Sequence, residues 1–421
     1  MVIAWLLPDL TLSGGAGIVI EHARQLAHDH GMPGTLVRTR PKTHADWAYR
    51  GLDELEVITV EEARERRFDV AVATWWETAF DLFSLDAGRH AHFLQLLEDS
   101  HYPAGSANRL GFAQVYGLPV RFITAAGWIR DIVERMQPGN RAFYVPSGMD
   151  KATFASPSRA EPHDGPLRIV VEGGLHLARK GVPHALEAVG LMREPRRVTL
   201  VTPGAPETLR ADVDEHVGGI PHAAMADLFA RHDVLLKLSR AEGMYGPPLE
   251  AFHMGCTCVT NPVTGHEEYV RHGENALVVD WDDPVGTARA LDLLARDRTL
   301  LHRLREGALE TARAWPDWET SSAQMAEVMR ALVAEPPPAP QPAGRRAAAG
   351  AQAMIAALDL AEVRAGEDRR RYAELEDELA GAHDEHAAFR AQLAVRAALK
   401  VRRHADPLLS RVGPRRGRPA R

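Results

Sequence analysis

The stretch Leu238–Glu250 reads L-S-R-A-E-G-M-Y-G-P-P-L-E, and its pattern decides the predicted fold. The apolar run 233–238 leads into it and is long enough for one buried strand. Pro247 and Pro248 suit the first turn of a helix, because the amide donors that proline lacks would have no partner there. Strand, glycine-bearing loop and helix in this order predict an open parallel sheet that binds its ligand at the carboxyl ends of the strands.

Two carboxylates flank the predicted ligand position, Glu242 in the loop and Glu250 in the helix. So placed, they can accept hydrogen bonds from hydroxyl groups of one polar ligand on two sides. The alternative is that Glu242 caps a turn and Glu250 is a solvated helix residue. The residue types alone leave both interpretations open.

Length and composition indicate a globular protein with more than one domain. The 421 residues are 45% apolar and 25% charged, which allows two domains and an additional segment. The net charge of -7 argues against general nucleic-acid binding. The apolar residues 1–7 have no basic flank and soon meet Pro8, so they predict a first strand and not a signal peptide. No run approaches the roughly 20 apolar residues of a membrane span, and we expect a cytoplasmic protein.

Only two cysteines occur, Cys256 and Cys258, beside an apolar strand. Two residues cannot form a disulfide framework, and a lone C-x-C lacks the second ligand pair of a structural zinc site. We therefore expect buried free thiols.

Glycines follow the first predicted strand. Residues 2–7 predict that strand, residues 13–17 a glycine loop with Gly14 and Gly15, and Ile18 the start of a helix. Such glycines let backbone amides approach a ligand, and a helix N-terminus behind them favours anions. A plain strand-to-helix turn is the alternative, since the P-loop Gly-Lys-Ser/Thr and the third glycine of a dinucleotide fingerprint are absent.

A polar, aromatic loop follows the strand predicted at 92–97. Glu98 and His101 lie in this loop, and their side chains suit the binding of sugar hydroxyls or service as a base. The alternative is a solvated histidine without a ligand. Trp75 and Trp76 stand at the end of an earlier strand.

Glycines and cations also open the second half of the chain. The strand predicted at 167–172 ends in two glycines, and Arg179 and Lys180 precede a helix. Two cations at a helix start suit a diphosphate, because their charge and the helix amides offset the phosphate charge together. An exposed basic turn is the alternative.

The pattern Glu242-Gly243-x-Tyr245-Gly246-x-x-x-Glu250 resembles the E-x7-E signature of the retaining glycosyltransferases of family 4. Residues 239–241 and 255–260 resemble the flanks of that signature. The resemblance covers about residues 1–330 and implies the α/β fold called GT-B, in which two Rossmann-like domains with parallel sheets face a cleft.

The resemblance also implies roles for single residues. In the family the first glutamate lies near the donor sugar and the second holds the nucleotide ribose, which here are Glu242 and Glu250. Lys180 resembles the lysine that binds the diphosphate. The other residues assigned to the donor are Gly14, Gly15, Arg179, Gly204, Tyr245, Gly246, Thr264 and Gly265. The catalytic candidates are Glu242, His101 and Glu98.

Two positions depart from the family pattern. The family has an arginine directly after the first glycine of the diphosphate loop, and this chain has Gly174. Ser147 stands where the family usually has an asparagine. Arg179 is a candidate replacement for the missing cation, so the departure bears on the donor and not on the fold.

The loop after residue 92 resembles one subgroup, the rhamnosyltransferases of bacterial surface glycans. Those enzymes carry a W-x-T-A strand end and a Q-x-x-E-x-x-x-Y-P-x-G-S loop. The matching residues here are Trp76, Thr78, Ala79, Gln95, Glu98, Tyr102, Pro103, Gly105 and Ser106. This likeness makes dTDP-rhamnose the first expected donor.

Strands alternate with helices in both halves, which predicts parallel sheets in two domains. We expect an acceptor-side domain at 1–155 and a nucleotide-sugar domain at 156–335, whose last helix, about 315–333, crosses back to the first domain. A proline-rich linker at 336–346 should follow.

A tail at 347–421 completes the chain, with helical composition and a basic end. Such a tail suits a coiled-coil partner or the anionic surface of a membrane, which would place the protein peripherally at the inner face of the plasma membrane. A solvated tail without a partner is the alternative.

The resemblance implies a glycosyltransferase that moves a sugar from a nucleotide diphosphate donor to a glycan or lipid-linked acceptor of a bacterial surface polysaccharide. It implies retention of configuration and no metal or cofactor. A nucleotide-sugar epimerase, a phosphorylase and a non-catalytic glycan-binding or scaffold protein on a decayed transferase fold are the alternatives. Gly174 keeps the last alternative open, whereas Lys180 and the E-x7-E signature argue against it.

Overall fold

A computed structural model describes the chain at residues 1–11, 13–42, 49–103, 105–136, 139–155, 165–175, 177–203 and 213–338. The predicted α/β fold is confirmed, since the described residues form two parallel sheets with helices packed on them. The helical tail expected at 347–421, and all of the linker beyond residue 338, lie outside the described residues. No helix among the described segments is both long and apolar enough to span a bilayer.

The first sheet has seven strands in the order β3-β2-β1-β4-β5-β6-β7, and every pair is parallel. Its strands are β1 Ile3–Leu7, β2 Gly34–Arg38, β3 Glu56–Thr59, β4 Arg67–Ala73, β5 Asp86–Leu94, β6 Arg121–Thr124 and β7 Ala142–Tyr144. Its helices are α1 Gly14–His30, α2 Val60–Arg64, α3 Thr78–Asp81, α4 Ala107–Val115 and α5 Gly127–Met136. We call this sheet with α1–α5 the first domain.

The second sheet has six parallel strands in the order β10-β9-β8-β11-β12-β13. Its strands are β8 Leu167–Glu172, β9 Arg196–Thr202, β10 Glu215–Gly218, β11 Val234–Lys237, β12 Thr257–Thr260 and β13 Ala276–Val278. The helices that follow are α6 Val182–Leu191, α7 Ala224–Ala230, α8 Gly246–His253, α9 Pro284–Arg296, α10 Arg298–Ala314 and α11 Trp318–Ala334. We call this sheet with α6–α10 the second domain.

Both faces of each sheet are covered, which explains why β1 is apolar at every position. In β1, Ile3 and Trp5 pack into the core on one face of the sheet, while Ala4 and Leu6 pack into the core on the other. All four are fully buried. A parallel sheet between two helical layers requires this pattern. Burial of each large apolar side chain contributes about 1.5–3 kcal/mol.

Each sheet contains a point where the strand order reverses. In the first sheet β1 has β2 on one side and β4 on the other, and in the second sheet β8 lies between β9 and β11. The loops that leave the two central strands diverge there and open a crevice, which is where such sheets bind ligands. The loop 238–245 after β11 therefore lies at the switch point of the second domain.

Helix α11 returns to the first domain and packs on α1. Met325 and Met329 are buried in the same core as β1. Ser322 donates a hydrogen bond to the Gln25 side chain at 3.0 Å. The guanidinium of Arg89 donates to carbonyls at the end of α11, including that of Leu332 at 3.0 Å. The first domain thus contacts this helix near both of its ends.

The structure corrects two features of the predicted first domain and adds one strand to the second. Helix α1 begins at Gly14 and not at Ile18, because the Ser13 side chain caps the amide of Ala16 and draws the glycines into the first turn. The strands β2 and β10 were not predicted. Both are short, and β10 has no apolar alternation to mark it.

Candidate functional site

The loop after β11 is built as its sequence predicts. Pro247 and Pro248 occupy the first turn of α8, and Gly255 adopts a positive φ of 72° after the helix ends. Glu242 lies in the loop and Glu250 on α8. Both glutamates therefore stand at the carboxyl edge of the second sheet.

Glu242 forms an ion pair with Lys180, whose Nζ lies 2.9 Å from Oε1 of the carboxylate. Lys180 ends a short 3-10 turn after β8, so the pair joins the two loops that diverge at the switch point. Burial alone would raise the pKa of Glu242, but Lys180 and Lys237 together hold that pKa below its ordinary value. The carboxylate is consequently ionised although it is mostly buried.

Lys237 is a second cation of this site that the sequence analysis did not identify. It is the last residue of β11, its side chain is fully buried, and its ammonium group is paired with the Glu172 carboxylate at the end of β8. Burial alone would lower the pKa of Lys237, but Glu172 and Glu242 raise it. The signal was present, because a lysine inside the apolar run Val-Leu-Leu-Lys-Leu is unusual in a buried strand unless it is paired.

Glu250 is paired with a histidine. Nε2 of His222 lies 2.9 Å from Oε1 of Glu250, and this hydrogen bond raises the pKa of His222. The imidazole also packs against Phe154, with ring centroids 5.3 Å apart. One oxygen of the Glu250 carboxylate is thus engaged, and its other oxygen has acceptor capacity left.

Tyr245 and Gly246 serve the local fold in this conformation. The Tyr245 ring is fully buried, and its hydroxyl lies 2.9 Å from the carbonyl of Lys237 and 2.9 Å from Oγ1 of Thr260. Gly246 begins α8 with open space around its Cα. The side chain of Tyr245 therefore anchors the loop and does not line its surface.

Thr264 and Gly265 support the same loop from behind. Oγ1 of Thr264 donates to the carbonyl of Glu242 at 2.7 Å. Gly265 has a φ of 87°, and a Cβ there would collide with the carbonyl oxygen of Gly243. This close approach explains the glycine at position 265.

The first domain contacts this loop directly. The indole nitrogen of Trp128 donates to the carbonyl of Gly243 at 2.9 Å. A Cβ on Gly243 would collide with the carbonyl oxygen of Gln95, at the end of β5. The two domains are consequently in contact at Gly243.

His101 lies on the first-domain side of this contact. Burial, together with the nearby cations Arg179 and Lys180, lowers the pKa of its imidazole to about 4 against the opposing effect of Glu242. His101 is therefore neutral at pH 7. The structure brings it together with the diphosphate candidates of the second domain.

Glu98 and Trp76 lie inside the first domain. Glu98 is 1% exposed, and its Oε2 accepts a hydrogen bond from the amide of Trp76 at 2.6 Å. Burial raises the pKa of Glu98 well above its ordinary value, so the neutral acid is favoured. The Trp76 indole donates to the hydroxyl of Tyr102 at 3.1 Å. In this conformation neither side chain is exposed to a ligand.

Gly14 and Gly15 are the first two residues of α1. They follow β1, the strand at the switch point of the first sheet. The carbonyl of Gly15 accepts a hydrogen bond from Nε2 of Gln95 at 3.0 Å, whereas a Cβ on Gly14 would meet open space. Gln95 therefore joins the glycine turn to the strand end that contacts Gly243.

Part of the chain matches a known family. Residues 166–297 match the family described as "Glycosyl transferases group 1". These residues contain β8–β13 and the E-x7-E loop.

Two curated bacterial proteins are similar to this chain. O-antigen biosynthesis protein RfbC of Myxococcus xanthus is 27% identical over 272 residues, which are 63% of this chain and 21% of that protein. Lipopolysaccharide core biosynthesis glycosyltransferase LpsE of Rhizobium meliloti (strain 1021) is 29% identical over 207 residues, 45% of this chain and 55% of that protein. The chain thus spans about a fifth of the first relative and about half of the second.

Solved structures share the two-sheet fold well beyond residues 166–297. Sucrose-phosphate synthase of Thermosynechococcus elongatus superimposes with a TM-score of 0.65 at 17% identity and covers 79% of this chain and 99% of its own. The Anabaena protein HepE, solved with UDP-glucose, superimposes with a TM-score of 0.64 at 18% identity and covers 79% and 100%. At these identities the likeness establishes the GT-B fold alone.

Two features of residues 166–297 concern the expected diphosphate position. Gly174 is buried, and as a glycine it offers no side chain to a diphosphate. Arg179 lies in the same 3-10 turn as Lys180. Gly204, expected near the nucleotide base, lies outside the described residues.

Proposed function

We propose that the protein is a glycosyltransferase that moves a sugar from a nucleotide diphosphate sugar to a glycan or lipid-linked saccharide. The observation that carries the proposal is the 2.9 Å pair of Lys180 and Glu242 at the switch point of the second sheet, with His101 of the first domain facing it. Cations and ionised carboxylates at that position suit a ligand with phosphates at one end and hydroxyls at the other.

The donor would lie along the carboxyl edge of the second sheet. Lys180 and Arg179 offset the charge of the diphosphate. The amides of the first turn of α1, at Gly14 and Gly15, would add positive partial charge beside it. Glu250 accepts hydrogen bonds from ribose hydroxyls through the oxygen that His222 leaves available. Glu242 orients the sugar hydroxyls while Lys180 keeps its carboxylate ionised.

In the proposed reaction the bond between C1 of the sugar and the diphosphate oxygen breaks, and a bond from C1 to the acceptor oxygen forms. Retention, which the E-x7-E resemblance implies, requires the acceptor to approach from the face that the diphosphate leaves. Lys180 then stabilises the negative charge that develops on the leaving group. His101 has a pKa of about 4, too low to hold a proton at neutral pH, so the acceptor proton passes to a leaving phosphate oxygen. His101 orients the acceptor hydroxyl as a neutral group.

Glu98 has a positioning role in this proposal. Its buried acid fixes the amide of Trp76 and through it the turn after β4, at the edge of the acceptor site. Exclusion of water by the contact at Gly243 would protect the donor from hydrolysis.

The proposed acceptor belongs to a bacterial surface polysaccharide, since the two curated relatives are described as O-antigen and lipopolysaccharide core proteins. The loop with Gln95, Glu98 and Tyr102 favours a dTDP-rhamnose donor, whereas the structural neighbour solved with UDP-glucose makes UDP-glucose the second donor to test. Work on such acceptors would place the protein in the cytoplasm at the inner face of the plasma membrane.

The test is a thermal-shift panel of UDP, dTDP, UDP-glucose and dTDP-rhamnose, run in EDTA. Stabilisation by one base and its sugar is the expected result, and Glu250→Ala should abolish it without lowering the Tm of the free protein by more than a few degrees. Glu187→Ala, on α6 and outside the site, is the control that keeps the shift. If no nucleotide changes the Tm, the transferase proposal fails and the non-catalytic alternative takes its place.

A further inference from the structure

The turn after β4 buries one tryptophan and leaves its neighbour partly exposed. β4 and β1 form the switch point of the first sheet, so the loop after β4 lies where a ligand of that sheet would bind. Trp76 is 9% exposed and packs in the first-domain core. Trp75 is only partly buried. The side chain available to a ligand is consequently Trp75.

Hydrogen bonds hold the backbone of this turn in place. Oγ1 of Thr78 accepts from the amide of Trp75 at 3.3 Å and donates to the carbonyl of Trp75 at 2.7 Å. The buried Glu98 accepts from the next amide, that of Trp76, at 2.6 Å. A side chain on so constrained a turn loses little conformational freedom when a ligand binds.

Trp75 is next to His101, and His101 faces the second domain. The two rings are in edge contact, with centroids 6.0 Å apart and planes at 68°. The charges of Arg179, Lys180 and Glu242 act on His101 from the other domain. Nδ1 of His101 is buried and has no hydrogen-bond partner among the described residues. The Trp75 and His101 rings thus lie side by side, and charged groups of the second domain lie near His101.

This pairing matches the surface of a pyranose ring, which carries C–H groups on a face and hydroxyls around its edge. An indole can pack against the C–H face, while a neutral imidazole takes one hydroxyl. Glu98 and Trp76 cannot serve, because both are buried and their polar groups are already hydrogen-bonded. An acceptor consisting of a lipid phosphate or a peptide hydroxyl would leave the indole face without a matching surface.

We propose that Trp75 is the stacking platform for the terminal pyranose of the acceptor, and that the His101 imidazole contacts a hydroxyl of that same sugar. This inference rests on the proposed transferase function, and it defines the acceptor class as a saccharide whose terminal pyranose is bound by the first domain. Trp75 therefore determines acceptor affinity and leaves donor binding unchanged.

The experiment compares the full-length wild type with Trp75→Ala, Trp75→Phe and the control Phe83→Ala. Phe83 is an aromatic residue of the same domain that is 45% exposed. Saturation-transfer difference NMR, in the presence of UDP or dTDP, would measure binding of octyl glycosides of glucose, galactose, N-acetylglucosamine and rhamnose. Nucleotide binding is measured on the same samples by calorimetry.

In the wild type we expect saturation transfer to protons on one face of at least one pyranose. Trp75→Ala should weaken that glycoside roughly tenfold, a loss of about 1.4 kcal/mol, whereas Trp75→Phe should retain most of the affinity and Phe83→Ala all of it. Nucleotide affinity should be the same in all four proteins. Equal glycoside affinity in Trp75→Ala and wild type would overturn the assignment, and so would a wild type that binds nucleotide but no glycoside. A wild type that binds no nucleotide would instead contradict the transferase proposal itself.

Discussion

The carboxylate of Glu268, in the second domain, accepts a hydrogen bond from the amide of Gly127, the first residue of α5 in the first domain, at 2.8 Å. The same oxygen accepts from the amide of Trp128 at 3.3 Å, and the other oxygen accepts from the hydroxyl of Tyr144 at 3.1 Å. A glutamate of one domain therefore caps a helix of the other. An anion is favoured there, because the N-terminus of a helix carries unpaired amides and positive partial charge.

Substitution of Glu268 should loosen the contact between the domains. We expect Glu268→Ala to lower the free energy of unfolding by about 1–2 kcal/mol, because it leaves two amides and a hydroxyl without their charged acceptor. Glu268→Gln retains an acceptor oxygen and should cost about half as much. Urea unfolding measures both losses, and the radius of gyration from solution scattering should rise in Glu268→Ala. An unchanged radius together with unchanged stability would show that the cap does not hold the domains.

Closure at Gly243 should be sensitive to a single methyl group. A Cβ at this position would collide with the carbonyl oxygen of Gln95, so Gly243→Ala should keep the loop from reaching β5. We expect at least a tenfold loss of glycosyl transfer with donor affinity nearly retained, since Lys180, Arg179 and Glu250, which are proposed to bind the diphosphate and the ribose, belong to the second domain. Initial rates with the donor found in the thermal-shift panel provide the measurement.

Gly190→Ala is the matched control for that prediction. Gly190 lies in α6, and a Cβ there would meet no atom within 4 Å. Alanine should stabilise the helix by about 0.5–1 kcal/mol and leave transfer unchanged. Equal activities of Gly243→Ala and Gly190→Ala would mean that the domains do not need this contact for the reaction.

The pair of Lys180 and Glu242 should behave as one unit. Lys180→Met removes the nearest cation from a mostly buried carboxylate, so it should cost about 1–3 kcal/mol of stability as well as donor affinity. Glu242→Gln in the same protein should recover part of the stability, because the uncompensated charge is gone. A double-mutant cycle by urea unfolding should give a coupling energy of about 1 kcal/mol or more. Strict additivity would show that the pair contributes nothing in solution.

The sequence predicts the local parts of this site and not the contacts between them. The strand, loop and helix around Glu242 follow from an apolar run, glycines and two prolines within about 20 residues, and the structure confirms them. The pairing of Glu268 with Gly127 spans 141 positions, and no periodicity or spacing rule reaches so far.

Burial is the second quantity that local patterns did not provide. Glu98 and Trp76 follow strands and are polar or aromatic, which made them candidates for ligand contact. The structure buries both, because α4 covers them and Gly111 packs directly on the Trp76 ring. Cys256 and Cys258 were predicted correctly as buried free thiols, and both pack in the core of the second domain.

The free energy of unfolding should fall at acid pH, because His22 binds a proton in the unfolded chain and not in the folded protein. This residue of α1 is fully buried between Phe93 of β5 and Trp318 of α11, with ring centroids 5.7 and 5.3 Å away. Neither ring nitrogen has a hydrogen-bond partner among the described residues, and burial lowers the pKa of His22 to about 3. The folded state thus excludes the proton that an unfolded histidine binds below a pH of about 6.5.

The sign follows from this difference in proton binding. Between about pH 6.5 and pH 3 the unfolded chain binds the extra proton, so the free energy of unfolding falls as the pH falls, by about 1.4 kcal/mol per pH unit for this one group. At pH 4.5 the loss should reach about 2–3 kcal/mol. His22→Leu removes the titrating group and leaves no unpaired donor, so its stability at pH 7 should equal or exceed that of the wild type. Urea unfolding at pH 7.0, 5.5 and 4.5 should show the variant gaining on the wild type with each step. Parallel curves would mean that protonation of His22 does not drive the acid loss. The next residue to substitute would then be His92 of β5, which is also buried.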